Sequence, residues 1–206
     1  MKSLFLTAAC FVLCFSGCRV VTVQEYQQLQ TPESPYLSKA AEIFDNELTP
    51  QIVDSAKPLG ELLAIFDRGG DFAEICREYG YRQSEDLQCN FSVKVEGMVV
   101  EVKSGSRRGT ITVETPYGQR VKVQTGPVIT GTALRDIHKK ISYIDFNDQT
   151  VYGEYGDRIN ARSVEKYAES NVKEGSVIEI YGAFSSWDIP SPSSIQIAPV
   201  KTTVKE

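Results

Sequence analysis

The sequence predicts an α+β, mainly β fold, in which a helical N-terminal part precedes a small five-stranded β-barrel. Apolar residues recur at three- and four-residue intervals through residues 36–88 and switch to alternation from Cys89 onward. Glycine and proline punctuation divides the alternating part into three consecutive strands, and a long non-alternating segment, 126–171, separates these from two more. The chain has 206 residues, 41% hydrophobic and 24% charged, which suits one ordinary domain with a helical annex and excludes collagen-like, coiled-coil and wholly disordered classes.

Residues 1–17 place Lys2 ahead of an apolar run from Leu4 to Phe15 and then small residues, the layout of a cleaved secretory signal. That run is too short for a permanent span of about 20 residues. Phe15, Ser16, Gly17 and Cys18 fit a lipobox, so Cys18 is expected to carry the lipid anchor. Each buried acyl methylene would contribute about 0.8 kcal/mol to anchoring. Arg19 follows the cysteine and leaves open which membrane, inner or outer, holds the protein. Residues 18–35, rich in Gln, Thr and Pro, form a tether.

The annex, 36–88, opens with a helical stripe of Leu37, Ala40, Ala41, Phe44 and Leu48. Pro50 suits the first turn of a second helix carrying Ile52, Val53, Ala56, Leu59, Leu62, Leu63 and Phe66, and Pro58 should kink or divide it. Asp71 can cap a third helix, Phe72–Tyr79, closed by Gly80. In the barrel, 89–206, a first strand from Phe91 to Val102 is expected to bend or bulge at Gly97. Strands at Thr110–Glu114 and Arg120–Gln124 follow, then the largely helical insertion 126–171, then strands at Val177–Phe184 and Ile195–Val200. Three strands, a helical insertion and two strands is the order of an OB-like five-stranded Greek-key barrel. An unclosed antiparallel sheet covered by the helices is the alternative.

After loss of the signal and acylation of Cys18, only Cys76 and Cys89 remain. In an exported protein they form either a disulfide closing a short loop or two separate buried thiols. Neither a CxxC motif nor a Cys/His cluster occurs, and His138, between Ile137 and Lys139–Lys140, is the single histidine, expected on an exposed turn. No metal or other cofactor is expected. Asp145, Asn147 and Gln149 alternate like the start of a calcium loop, but Thr150 and Gly156 occupy the positions that need glycine and glutamate. No GxSxG motif is present, and enzymatic activity is not expected.

Charge is uneven. Residues 19–90 carry a net −7 and residues 91–125 a net +3, from Lys94, Lys103, Arg107, Arg108, Arg120 and Lys122. An acidic exported chain argues against nucleic acid, so the basic strands are expected to face the acidic annex, anionic lipid or a protein. The run Gly126, Pro127, Gly131, Thr132, Arg135, Asp136 combines tight glycine turns, a capping threonine and a guanidinium. It suits either an anion or sugar hydroxyl or an internal network that pins the insertion to the barrel. Asp136, Asp145 and Asp148 are the acids available to Arg135.

The opening Cys18–Val21 and the segment from Val123 to Ala161, with Gly126, Pro127, Gly131–Asp136, Asp145, Phe146, Gln149 and Asn160, resemble the bacterial lipoprotein family called domain of unknown function 2291. Gly153 and Gly156 stand where better helix formers are expected and predict a frayed helix. The resemblance implies a periplasm-facing, lipid-anchored envelope protein without established activity, whose genes often neighbour those of sugar ABC transporters. The expected function is thus a non-catalytic accessory protein of a sugar ABC transport system that contacts a permease or solute-binding protein. The alternative is direct binding of a sugar or anion in a cleft between barrel and insertion, drawing on Arg135, Asp136, Gln149, Tyr152, Asn160 and Trp187. Trp187, beside Asp188 and Pro190, is the candidate contact residue.

Overall fold

A computed structural model describes Thr22, residues 34–146 and residues 148–205. The expected signal segment, Cys18 and nearly all of the 18–35 tether lie outside the described residues, as does Asn147. The folded unit runs from Pro35 to the C terminus.

Helices α1 (Pro35–Ser38) and α2 (Ala40–Ile43) lead into a π-helical turn, Phe44–Leu48, and α3 (Thr49–Ser55). The buried stripe is Leu37, Ala40, Ile43, Phe44, Leu48 and Ile52; Ala41, assigned to it from spacing, is exposed. Pro50 sits in the first turn of α3, as expected, although that helix follows the π-helical turn without a break. Proline has no N–H for the Asn46 carbonyl and its ring would collide with it in regular α geometry. The wider turn just before it, in which the Thr49 N–H donates to the Phe44 carbonyl, carries the helical run through. Pro58 does divide the helices, and it does so as part of a strand: β1 (Lys57–Pro58) pairs in parallel with Val93–Lys94 before α4 (Leu59–Asp67) begins. Helix α5 (Phe72–Tyr79) starts where the Asp71 carboxylate accepts from the Ala73 N–H at 2.9 Å.

The sheet therefore has six strands, one more than expected. Strand β2 (Cys89–Lys103) pairs antiparallel with β3 (Arg108–Glu114), β3 with β4 (Arg120–Pro127), and β4 in parallel with β6 (Gln196–Lys205). Strand β6 pairs antiparallel with β5 (Val177–Ser186), and β5 pairs with the N-terminal half of β2 from Cys89↔Ser186 to Met98↔Val177. That last pairing closes the ladder on itself. Strand β2 serves two neighbours because it bends: its first ten residues follow β5 and its last six follow β3. The register shift lies between Val99 and Glu101, just past Gly97. Gly97 has a separate task, since a Cβ there would overlap the Glu114 carbonyl of β3.

Between β4 and β5 the insertion is less helical than expected. Strand β4 absorbs Gly126 and Pro127, and only α6 (Ala133–Asp136) and a 3₁₀ turn (Tyr143–Asp145) interrupt the loop before α7 (Gln149–Ala168). Helix α7 is continuous through Gly153 and Gly156, so the predicted fraying does not occur. Asp148 caps it, accepting from Thr150 and Val151 N–H at 2.7 and 3.0 Å.

Two cores result. Phe91, Val93, Val95, Ile111, Val113, Val121, Val123, Ile178, Ile180 and Ile197 fill the ring and meet Leu62, Leu63 and Phe66 of α4. A second core lies between α1–α3, α7 and the other face of β5–β6, with Phe44, Leu48, Ile52, Leu134, Tyr155, Ile159, Ala183, Ala198 and Val200. Cys76 and Cys89 are joined as a disulfide at 2.04 Å, linking α5 to the start of β2 and packed against Gly80.

Candidate functional site

The Gly126–Asp136 segment folds back on the end of β4 through the Gln124 side chain. Its Oε1 accepts from the Thr130 N–H at 2.7 Å and hydroxyl at 2.8 Å, while its Nε2 donates to the Thr130 carbonyl at 3.1 Å. Gly131 then takes φ 86°, a conformation that disfavours side chains, and its carbonyl accepts from Asn160 Nδ2 of α7 at 3.0 Å. This turn delivers α6 with Leu134 fully buried and Arg135 facing α7.

Arg135 is enclosed by its own neighbours. Its Nε donates to Asp136 Oδ1 at 2.7 Å, and its guanidinium carbon lies 3.9 Å from the centre of the Tyr152 ring. The second oxygen of Asp136 accepts from the Thr132 hydroxyl at 2.5 Å, and the Tyr152 hydroxyl donates to Oδ1 at 3.2 Å. The side chains of Arg135 and Asp136 are 13% and 26% exposed. Burial, followed by the adjacent Asp136 charge, pushes the Tyr152 hydroxyl up to about 12. Gly156 matters to this packing because a Cβ there would press on the Arg135 side chain at 3.1 Å from Cδ. Chemically the group is an internal network in which Arg135 Nε, Asp136, Thr132 and Tyr152 hold one another.

The other expected participants are dispersed. Gln149 is exposed on the first turn of α7, Pro127 is exposed at the end of β4, and Gly126 packs under Val164. Asp145 closes a capping box with Ser142, and Asp148 caps α7, so both acids are occupied locally. Trp187 stands on the loop leaving β5, 64% exposed, next to the Cys89↔Ser186 pair; Leu87, just before β2, is 44% exposed. Among the described residues no group of three or more His, Cys, Asp or Glu is placed to hold a metal ion.

His138 is a correction. Its flanking lysines suggested an exposed turn, yet it is 1% exposed and neither ring nitrogen has a hydrogen-bond partner. Gln51 of α3 explains the inversion: its Nε2 donates to the Ile137 carbonyl at 2.7 Å and its Oε1 accepts from the Lys139 N–H at 3.0 Å. That grip presses the imidazole into the second core while Lys140 reaches out to Glu47 at 3.0 Å. Burial pushes the His138 pKa down. Tyr155 is likewise fully buried with an unpartnered hydroxyl, and its pKa is raised by the same cause.

The basic strands also pair differently from expectation. Lys94 bridges Glu96 and Glu179 at 2.7 and 3.1 Å, Lys103 meets Glu101 at 3.0 Å, and Arg120 meets Glu114 at 2.7 Å. These acids sit on the strands themselves, two residues along the same strand or across the ladder, and not on the annex. The annex instead reaches α7 through Arg162 and Asp45 at 2.6 Å.

A cleft of about 550 Å³ lies between the π-helical turn, α7 and β6, lined by Asp45, Thr49, Lys166, Glu169, Lys201 and Thr202 among others. The hydroxyls of Thr49 and Thr202 are buried there without partners. Sequence patterning did not point to this cleft, because its lining comes from three elements distant in the chain and follows no motif.

Among solved structures, the chain is similar to the crystal structure of an OB-fold protein from Thermotoga maritima, with TM-score 0.62 and 13% identity over 82% of this chain and 98% of that one. At that identity the likeness establishes the fold alone. No curated protein matches the chain. The family model described as a predicted periplasmic lipoprotein matches residues 8–203. An OB-like α+β domain behind an apolar, cysteine-ended leader is thus joined to a match over nearly the whole chain, and the protein belongs to the periplasmic lipoprotein family of domain of unknown function 2291.

Proposed function

We propose that this lipoprotein is a non-catalytic accessory protein, acylated at Cys18, that presents its domain to the permease or solute-binding protein of a sugar ABC transport system. The scaffold is read as a five-stranded Greek-key barrel, supported by the order β2-β3-β4-β6-β5 and its β2–β5 closure. The observation that carries the reading is the indole of Trp187, 64% exposed on a loop beside exposed Leu87. Large aromatic side chains at surfaces serve as anchors for partners, because they bury much area at little entropic cost. The absence of catalysis is supported by the way Arg135, Asp136, Thr132 and Tyr152 satisfy one another.

A photo-crosslinking residue at position 187 of the acylated full chain, activated in intact cells, tests this. Adducts with a transport component are expected from position 187 and not from position 117, where Tyr117 is 81% exposed on a different hairpin. Equal or absent adducts at the two positions would remove the support.

One observation favours the second reading, direct binding of a small ligand, and it relocates the site. The cleft at Thr49 and Thr202 places two hydroxyls without a hydrogen-bond partner among the described residues beside Lys201 and the Lys166–Glu169 ion pair, whereas Arg135 is engaged by Asp136. Calorimetric titration of sugars and small anions against the wild type and Thr202→Val separates the readings, since only a ligand site there gives heat that the variant loses.

A further inference from the structure

We infer that the β2–β3 loop end of the barrel is an electrostatic face for the anionic membrane surface to which the chain is tethered. Lys103, Arg107 and Arg108 are exposed within six residues, on the turn between β2 and β3. Lys103 is partnered by Glu101, but among the described residues the guanidinium groups of Arg107 and Arg108 have no acidic partner. No acidic residue occurs from Val102 to Val113 or from Thr115 to Arg135, the two stretches that build this end. Hydrogen bonds hold them together: the Val128 N–H donates to the Arg107 carbonyl at 2.8 Å, and Arg108 pairs with Pro127 across the ladder. The same end shows apolar side chains to solvent, with Val102 39% and Val128 37% exposed and Pro127 beside them. Cations interleaved with short apolar side chains suit the headgroup zone of a bilayer, where charge attracts and methyl groups enter shallowly.

The occupant follows from charge and tethering. A lipoprotein is held beside a bilayer, and the 18 residues from Cys18 to Pro35 extend to at most about 60 Å. A domain of this size has a radius of gyration of about 16 Å, so the tether lets any of its faces reach the lipid. Charge then selects the face. Residues 19–90 carry a net −7 and are repelled from anionic headgroups, while the loop end is attracted within a Debye length of about 8 Å at physiological salt. The attraction orients the domain with the basic end toward the lipid. This inference goes beyond the accessory reading and stands without it.

The test uses the mature chain with Cys18→Ser, so that vesicle binding reports the protein surface and not the acyl chains. Co-sedimentation is expected with phosphatidylcholine vesicles containing phosphatidylglycerol, not with phosphatidylcholine alone, and is expected to disappear in high salt. Arg107→Gln with Arg108→Gln should weaken binding about 30-fold, from about fivefold per cation. Arg68→Gln with Arg77→Gln, exposed cations at the end of α4 and on α5, should leave it unchanged. Unaltered melting temperatures of both variants confirm that the loss is one of surface charge. No binding to anionic vesicles, equal binding to neutral ones, or equal loss in the control variant would overturn the inference.

Discussion

Replacing Arg135 with alanine removes the centre of a polar group that ties α6 to α7, and its cost can be worked from the contacts. The substitution deletes a 2.7 Å charge-assisted hydrogen bond to Asp136 and uncovers the Tyr152 ring. Hydrogen bonds to charged groups contribute about 1.5–3 kcal/mol, and an exposed-to-intermediate cation–π contact about 0.5–1 kcal/mol. Orphaning one member of a fully buried pair costs about 3–5 kcal/mol, but Asp136 keeps 26% exposure and hydroxyl donors from Thr132 and Tyr152. Water and those hydroxyls recover part of the loss, which leaves about 2–3 kcal/mol. For a domain of this size that corresponds to a fall in Tm of about 4–12 °C. Differential scanning calorimetry of the wild type, Arg135→Ala, Asp136→Ala and the double variant measures it, with a coupling energy of about 1–2 kcal/mol expected between the two sites. A Tm unchanged in Arg135→Ala, or additive effects in the cycle, would refute the internal-network reasoning and return Arg135 to the role of a ligand anchor.

Two further outcomes are expected. Since burial holds the native His138 imidazole neutral, the unfolded chain takes up its proton first as pH falls through about 6.5; this histidine's contribution is fully present above that pH and declines below it, by up to about 1.4 kcal/mol per unit. The Tm of His138→Phe should therefore fall less steeply than that of the wild type between pH 7 and 5, and parallel curves would show that the histidine is not buried neutral. Cys76 and Cys89 close a loop of sequence separation 13, which in the chain-entropy account stabilises by about 3 kcal/mol. The Cys76→Ser, Cys89→Ser double variant should melt about 6–12 °C lower than the unreduced wild type, and identical melting would show that the bond constrains nothing.

Several of the elements that were legible in sequence have a face that meets water. Val93 and Val95, and later Ile111, Val113, Val121 and Val123, alternate with polar residues that are exposed or half-buried, whereas Asn90 and Ser92 beside Phe91 are buried. Helix α5 could be bounded to the residue because Asp71 and Gly80 mark its two ends chemically. Arg135 and Asp136 were legible as a candidate pair since adjacent opposite charges beside buried Leu134 need each other. What stayed hidden lacks a periodic or charge signal. Gln51 and Gln124 organise two turns through amide hydrogen bonds, and an amide in sequence looks like any surface residue. His138 was misread for the same reason: its burial is imposed by Gln51, 87 positions earlier in the chain. The π-helical turn is a consequence of Pro50 acting inside a helix that tertiary packing had already paid to keep.

Strands β5 and β6 have core on both sides. Ile178, Ile180 and Ile197 point into the ring, while Ala183, Ala198 and Val200 lie under α1–α3 and α7. For these two strands the outer face of the sheet is interior, and the helices are a wall of the building and not furniture placed in it. A trimmed chain carrying only the strands would turn Ala183, Ala198 and Val200 toward solvent and join them into an apolar strip along neighbouring strands. Related barrels that have shed the helical layer must therefore carry polar side chains at these three positions, and those three sites serve as a sequence marker for whether the layer is present.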